Sequence, residues 1–217
     1  MRPVIKMLWD IHTHTSKYSG CAHHTPEELV DAAKAIGLGG IVITDHRYVW
    51  QPEELAELQA YAGSDLLVLA GGEASCHSPE GKHLGDYLVF GLPSLEGRPG
   101  EPKALVEWVH QQEGLIIAAH PYRPSSGCKD LIYELDIDAV EVWNPNHLPG
   151  QVEASRQAAL ALDKPMTAAS DAHWREIVGY HVIETEAEIP DMAELMRVIR
   201  TGDFQARPFY QLELDMP

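Results

Sequence analysis

The feature that most constrains this fold is a repeated pattern in which a short apolar run ends in His, Asp or Glu. Five runs share it, and their ends read Asp10-Ile11-His12-Thr13-His14, Thr44-Asp45-His46, Gly72-Glu73, Ala119-His120-Pro121 and Ser170-Asp171-Ala172-His173. Parallel strands are buried on both faces and carry functional loops at their carboxyl ends. The pattern therefore predicts a mostly parallel sheet whose polar side chains gather at one rim.

Apolar runs of strand length alternate with amphipathic segments of helical length. Strands are predicted at 8–11, 40–44, 66–70, 87–90, 115–119, 139–142 and 166–169, and helices at 25–36, 52–62, 104–112, 150–162 and 192–201. The first helix has the clearest start, with Thr25 as N-cap, Pro26 next and Glu28 closing a capping box. Strands that alternate with helices predict an α/β fold, either doubly wound or closed as a TIM-like barrel. We favour the barrel, because the polar strand ends are spread over five strands and no Gly-rich nucleotide-binding turn is found.

Length, charge and cysteine content limit the kinds of partner and the location that we expect for this chain. The 217 residues are expected to form one domain, 1–217, and the 16 basic against 33 acidic residues give a formal net charge of -17. Such a field repels polyanions, so long duplex nucleic acid is an unfavourable partner. The three cysteines are widely spaced and no run reaches the length of a membrane span, which predicts a cytoplasmic protein with no membrane contact. The oligomeric state stays open.

The polar strand ends have the spacing of metal ligands. His12 and His14 are two residues apart on a strand and project to the same side, and Asp171 and His173 repeat that spacing. Imidazole and carboxylate together suit Zn, Mn or Fe. A carboxylate such as Glu73 could bridge two ions about 3.5–4 Å apart, as in two-metal hydrolases. The sequence therefore predicts a metal centre at the rim.

At these motifs the chain resembles the polymerase and histidinol phosphatase (PHP) domain family. The family's motifs are D-x-H-x-H-T, T-D-H, G-E, an H-x-L-G-type turn, A-H-P and S-D-A-H, and this chain shows all of them in that order, with His83-Leu84-Gly85 as the turn. The resemblance implies a distorted seven-stranded α/β barrel that holds three divalent ions, Zn, Mn or Fe. It implies one ion bound by His12, His14, Glu73 and Asp171, a second by Glu73, His83 and His120, and a third by His46, His173 and one further ligand.

That further ligand is where the chain departs from the family. Many relatives place an Asp in a short turn after H-x-H, whereas residues 16–24 here form a longer loop, SKYSGCAHH. His23 or His24 is the natural substitute, and we favour His23. Cys21 is a weaker candidate.

The function that the resemblance implies is hydrolysis of a phosphate ester by a hydroxide that bridges metal ions. Asp171, Glu73 and His173 are the expected catalytic residues. Arg123, Arg175 and Arg47 are the expected phosphate ligands, because a guanidinium can bind phosphate through two hydrogen bonds. The expected substrate is a small phosphorylated molecule or an exposed phosphate end. Two alternatives remain: an amidohydrolase-like enzyme that cleaves an amide or lactone, and a non-catalytic metal-binding regulatory domain.

Overall fold

The computed structural model describes residues 6–186, 188–210 and 213. The strands within these residues are β1 (Met7–Thr13), β2 (Gly40–Ile43), β3 (Leu67–His77), β4 (His83–Phe90), β5 (Leu115–Ala119), β6 (Ala139–Trp143), β7 (Met166–Ala168), β8 (Val182–Thr185) and β9 (Phe204–Arg207). The α-helices are α1 (Pro26–Ala35), α2 (Pro52–Ala62), α3 (Pro102–His110), α4 (Pro149–Leu162) and α5 (Met192–Thr201). Two short 3-10 helices cover Lys129–Glu134 and Arg175–Ile177.

The strands form one sheet in the order β7-β6-β5-β4-β3-β2-β1-β8-β9. Strand pairing is parallel except where β4 lies between β3 and β5 and where β8 pairs with β1 and β9. A parallel bridge from Thr13 to Ala172 joins the carboxyl end of β1 to the segment after β7, so the sheet nearly closes on itself. The predicted α/β, TIM-like barrel is therefore confirmed. The sequence did not predict β8 and β9, of which β8 pairs with residues 7–9 at the amino end of β1.

Strand β3 is longer than predicted and carries Glu73 in its middle rather than at its end. Its first half pairs with β2, and its second half turns to an antiparallel pairing with β4. The change occurs at two glycines whose surroundings leave no room for a side chain. A Cβ on Gly71 would lie 2.5 Å from Phe90 Cδ1, and one on Gly72 would lie 2.9 Å from the carbonyl oxygen of Tyr48. Close packing, and not a turn, explains this glycine pair.

Helix α1 begins as the sequence predicts. The Glu28 N–H donates to Thr25 Oγ1 at 3.2 Å, and the Thr25 N–H donates to Glu28 Oε2 at 2.8 Å, which completes the capping box. The helix buries Leu29, Val30 and Ala33 against the outer face of the sheet. Among the described helices, none combines the length and the apolar composition that a membrane crossing requires.

Candidate metal centre

The carboxyl ends of the strands bring seven of the predicted metal ligands into one cluster. Their ligand atoms form three groups, each with all atoms within 4.8 Å of one another: His12, His14 and Asp171; His12, Glu73 and His120; and His14, His46 and His173. The groups share His12 and His14, so they form one continuous cluster. Most of its side chains are buried, but those of His46 and His173 are 32% and 24% exposed, which leaves one side open to solvent.

The contact between His12 and His14 fits a shared cation. His12 Nδ1 lies 2.8 Å from Glu141 Oε1, which favours the tautomer with the proton on Nδ1 and the lone pair on Nε2. That Nε2 atom lies 3.1 Å from His14 Nε2, and the two are 3.3 Å and 3.1 Å from Asp171 Oδ1. Two imidazole nitrogens and a carboxylate oxygen that converge at this spacing form the donor set of a divalent metal site.

Glu73 contacts histidines on both sides of the cluster. Its Oε1 lies 3.2 Å from His120 Nε2 and 3.6 Å from His12 Nε2, and its Oε2 lies 2.6 Å from His46 Nδ1. Oε2 is buried and makes no hydrogen bond of normal geometry within the described residues. A buried carboxylate oxygen without a hydrogen bond is costly unless a cation satisfies it. The residues present therefore fit more than one bound metal ion.

Asp171 links the cluster to an arginine. While Oδ1 faces His12 and His14, Oδ2 accepts a hydrogen bond from Arg123 Nη2 at 2.6 Å. The same Nη2 donates to Asn144 Oδ1 at 3.0 Å. Arg123, predicted as a phosphate ligand, thus lies directly against the cluster and is oriented by two partners.

The buried ionisable groups of the cluster shift one another's pKa values. Burial lowers the pKa of His12, but the carboxylates of Asp171 and Glu141 outweigh burial and raise that pKa well above its usual value. Burial also lowers the pKa of His14, to about 4, because its carboxylate neighbours do not compensate. Burial raises the pKa of Glu73 and of Asp171, but the adjacent histidines outweigh it and hold both pKa values well below normal. The cluster thus keeps its carboxylates ionised, which metal binding requires.

Three residues at this rim have left-handed backbone conformations that glycine normally adopts. The φ angles are 61° at Arg47, 30° at His120 and 50° at Asp171. Such conformations in residues with a side chain cost about 1–3 kcal/mol each and cluster at functional sites. These three lie at the ends of strands that carry the cluster or in the loops directly after them, and four other residues with positive φ, Glu113, Lys129, Asp163 and Phe209, lie elsewhere.

Asp10 and Asp45 lie close in sequence to the candidate metal ligands and accept hydrogen bonds from the loops around them. Asp45 is buried and accepts four hydrogen bonds, from the N–H and hydroxyl of Thr15, the hydroxyl of Ser19 and the indole N–H of Trp50. Asp10 accepts hydrogen bonds from the N–H groups of Ser170 and Gly179 and from the Ser170 hydroxyl. Neither aspartate belongs to the three ligand groups. Both hold neighbouring backbone in place, as an outer layer of a metal site does.

Three predicted site residues lie outside the cluster. His23 is exposed and stacks on the Trp174 ring, with 3.7 Å between ring centroids. His83 belongs to none of the three ligand groups, and its Nε2 contacts Asp86 Oδ1 at 3.0 Å. Arg175 is 60% exposed and pairs with Glu28 and Glu176. His24, the alternative to His23, is buried, and neither of its ring nitrogens has a hydrogen-bond partner in the described part of the chain.

Two buried carboxylates near the cluster were not predicted. Glu141 lies inside β6 and contacts His12, and a charged residue in the apolar run Ala139–Trp143 was the signal that could have revealed it. Asp86 is buried on β4 opposite Ser75 and Ala119. Burial and the nearby charge of Glu73 raise its pKa. Its position depends on pairing between distant strands, which sequence spacing does not reveal.

Comparison with known proteins gives the family. The model of the PHP domain matches residues 10–136, and the model described as PHP-associated matches residues 150–204. An uncharacterized protein of Methanocaldococcus jannaschii is 31% identical over 183 residues, which cover 78% of this chain and all of that protein.

Solved structures share the fold at low sequence identity. A two-domain protein of Bacteroides vulgatus, described as containing a predicted PHP-like metal-dependent phosphoesterase, aligns with a TM-score of 0.65 and 15% identity over 94% of this chain and 65% of that one. The lesion-specific endonuclease of Pyrococcus furiosus aligns with a TM-score of 0.63 and 15% identity over 93% of this chain and 58% of that one. Together with the model matches and the archaeal relative, the clustered His, Asp and Glu side chains lead to one conclusion: this chain belongs to the PHP domain family.

Proposed function

We propose that this protein hydrolyses phosphate esters with divalent metal ions, Zn, Mn or Fe, held by the cluster. The observation that carries the proposal is the convergence of His12 Nε2, His14 Nε2 and Asp171 Oδ1 beside the bridging carboxylate of Glu73. The seven clustered ligands, with His12 and His14 each shared by two groups, support more than one ion, and the family resemblance implies three. Neither His23 nor His24 belongs to the third ligand group, and of the two His24 is the better supported further ligand, because it is buried and its ring nitrogens have no hydrogen-bond partner among the described residues.

The residues of the cluster would have different roles in the proposed reaction. When bound, the ions would supply a water that ionises near neutral pH and would neutralise charge on the phosphate oxygens. Glu73 and Asp171 provide the negative charge that holds the ions, and Asp171 also fixes Arg123. The Arg123 guanidinium is placed to meet a phosphate oxygen at the cluster. His173, at the partly exposed side of the cluster, would hold an ion where water and substrate can reach it.

Two features favour this reaction over the alternatives. Amidohydrolase-like barrels use a carboxylated lysine to bridge their ions, whereas here the carboxylate of Glu73 lies between His46 and His120. A non-catalytic metal-binding domain would not need an opening through which a substrate reaches the metal ions. Here the side of the cluster formed by His46 and His173 is partly exposed to solvent. The net charge of -17 supports a small substrate or an exposed phosphate end over a long duplex.

The proposal is tested by metal analysis and a substrate panel. The purified protein is loaded with Mn, Zn or Fe, its ions are counted by elemental analysis, and phosphomonoesters and phosphodiesters are assayed. We expect His12→Ala and Asp171→Ala to lower metal content and turnover together. His77→Ala and Asp31→Ala, at exposed positions outside the cluster, are the matched controls and should keep both. Activity that survives both cluster substitutions would contradict the proposed reaction centre.

A further inference from the structure

A cavity of about 420 Å³ opens beside the metal cluster. It is lined by Tyr18, His46, Arg47 and Ser75. His46 is one of the cluster's ligand candidates, with its Nδ1 2.6 Å from Glu73 Oε2, so a phosphate bound at the cluster would lie next to this cavity. The volume is within the range of small-ligand pockets. A substrate that reaches the metal centre thus has room here for a part that is not cleaved.

Arg47 brings an uncommitted positive charge to the cavity. Within the described residues its guanidinium makes no hydrogen bond or ion pair. Other cations near the rim are already paired, as Lys17 is with Glu54, Arg123 with Asp171 and Arg175 with Glu28. An unpaired arginine is notable in a chain with twice as many acidic as basic residues. Its five donors are free for an incoming anion.

A second arginine stands behind the cavity wall. Arg98 Nη2 donates to the carbonyl oxygen of Ser75 at 3.3 Å, while its Nε is buried without a partner. No carboxylate of the described chain pairs with Arg98 within 4.0 Å. Arg98 thus adds a second positive charge next to Ser75, which offsets part of the negative charge of Asp86, the residue opposite Ser75 on β4.

The remaining wall is aromatic and fixed. The Tyr18 ring stacks on Tyr48, with 3.9 Å between centroids, and its hydroxyl donates to Glu54. Lys17 lies 5.4 Å from the Tyr18 ring centroid. Because the Tyr18 hydroxyl is already bonded, this residue offers the cavity an apolar surface. An organic group with an anionic substituent matches a wall of this kind beside Arg47.

The backbone ties Arg47 to the metal cluster. Its N–H donates to the carbonyl oxygen of Glu73 at 2.8 Å, and its φ of 61° is a conformation that glycine adopts more easily. An arginine kept at a position of backbone strain, one residue after His46, is an outlier that points to a role for its side chain. The hydrogen bond also fixes the position of the Arg47 backbone, from which the guanidinium extends, relative to Glu73.

We propose that this cavity binds a second anionic group, a carboxylate or a phosphate, on the alcohol part of the phosphate ester, with Arg47 as its ligand. The inference rests on the proposed function and narrows it to esters of acidic alcohols or phenols. Arg47 acts on substrate choice by binding a group that is not cleaved. It therefore changes the relative rates of different esters.

The test compares three esters with the Mn-loaded protein: phenyl phosphate, 4-carboxyphenyl phosphate and 1,4-phenylene bisphosphate. We expect kcat/KM for at least one anionic ester to exceed that for phenyl phosphate about tenfold, mainly through KM, which is the size of one hydrogen bond to a charged group. Arg47→Gln should bring that ratio close to one, and Arg47→Lys should keep part of it. Lys103→Gln, which removes an exposed cation on α3, is the matched control and should keep the full ratio.

The outcomes separate the subsite from the reaction. A preference for the carboxylate alone or for the bisphosphate alone supports the subsite and identifies its anion. A wild-type protein without preference, or an Arg47→Gln variant that keeps it, overturns the inference. If none of the three esters is cleaved, the wider substrate panel decides the proposed function, and calorimetry with phenylphosphonate, 4-carboxyphenylphosphonate and 1,4-phenylenebisphosphonate tests the subsite by itself. Tighter binding of either dianionic probe that is lost in Arg47→Gln supports the subsite, and equal binding of all three phosphonates rejects it.

Discussion

His12 and Glu141 form a fully buried pair, with His12 Nδ1 2.8 Å from Glu141 Oε1. The second oxygen of the same carboxylate accepts a hydrogen bond from the His120 N–H at 2.8 Å and another from Asn144 Nδ2 at 3.1 Å. One side chain of β6 thus orients an imidazole on β1 and the backbone at the end of β5. Outer partners of this kind fix the tautomer and the ring direction of a metal-binding histidine.

Removing this support should weaken metal binding without removing a ligand. We expect Glu141→Gln to lower metal affinity about tenfold and Glu141→Ala about a hundredfold, because outer partners typically contribute 10–100-fold. Competition with a chelating dye measures the affinity. Glu107→Gln, at an exposed position of α3, is the control. An unchanged affinity in Glu141→Ala would show that His12 keeps its orientation without the carboxylate.

Asp45 should stabilise the fold more than any exposed acidic residue. Its carboxylate accepts four hydrogen bonds of 2.7–2.8 Å from three residues of the loops at the rim. Asn at this position turns one acceptor into a donor that faces other donors, so we expect Asp45→Asn to lower the free energy of unfolding by about 3 kcal/mol. Urea denaturation of the metal-free protein measures the loss. The control is Asp31→Asn: among the described residues the Asp31 carboxylate binds only the exposed Tyr61 hydroxyl, so this change should alter stability by less than about 0.5 kcal/mol.

Glu54 should give the stability an acid-sensitive component. Hydrogen bonds from Lys17 and then Tyr18 lower its pKa from 4.5 to about 2. The unfolded chain therefore binds a proton at a higher pH than the folded one, so this contribution is complete above about pH 4.5 and is lost as the pH falls towards 2. With solvent screening we expect about 1 kcal/mol. The difference in unfolding free energy between wild type and Glu54→Gln, measured from pH 6 down to about pH 2.5, should shrink across this window, and a constant difference would contradict the assignment.

Two glycines should respond in opposite directions to the same substitution. A Cβ on Gly40 would lie 2.2 Å from the fully buried ring of Trp9, whereas a Cβ on Gly150, in α4, would meet nothing within 4 Å. We expect Gly40→Ala to destabilise the fold by about 3 kcal/mol through overpacking. Gly150→Ala should be neutral or stabilise it by up to about 1 kcal/mol, because alanine favours the helix. Denaturation midpoints of the two variants measure the contrast, and similar midpoints would contradict the packing at Trp9.

The barrel was predictable because its signals are local. Each of the predicted parallel strands is an apolar run that ends near a polar residue, and α1 begins at a capping box that the residues 25–28 spell out. Strands β8 and β9 were missed because β8 is only four residues long, contains Glu184 and pairs with β1 from the other end of the chain. Long-range pairing of short, mixed strands leaves no periodic pattern in the sequence.

The part of the candidate site that lies at strand ends was also predictable from local signals, whereas the part that depends on loops or on distant neighbours was not. Residues at strand ends, such as His12 and Asp171, were identified because parallel strands bring their carboxyl ends together. The loop and hairpin residues His23 and His83 fall outside the cluster, because loop geometry decides where they point. Glu141 and Asp86 were missed because their role depends on which distant side chain lies opposite them.

The backbone strain at Arg47 can be measured by substitution. At its φ of 61° an L-residue costs about 1–2 kcal/mol more than glycine. We therefore expect Arg47→Gly to raise the free energy of unfolding by about 1 kcal/mol relative to Arg47→Ala, since both lack the guanidinium and only glycine relieves the backbone. Urea denaturation of the two variants measures the difference. Because the side chain is exposed, its loss alone should cost little stability. If Arg47→Gly is the more stable variant and both variants lose the preference for anionic esters, then Arg47 lowers stability but is needed for substrate recognition. Equal stability of the two variants would show that the backbone at this position is not strained.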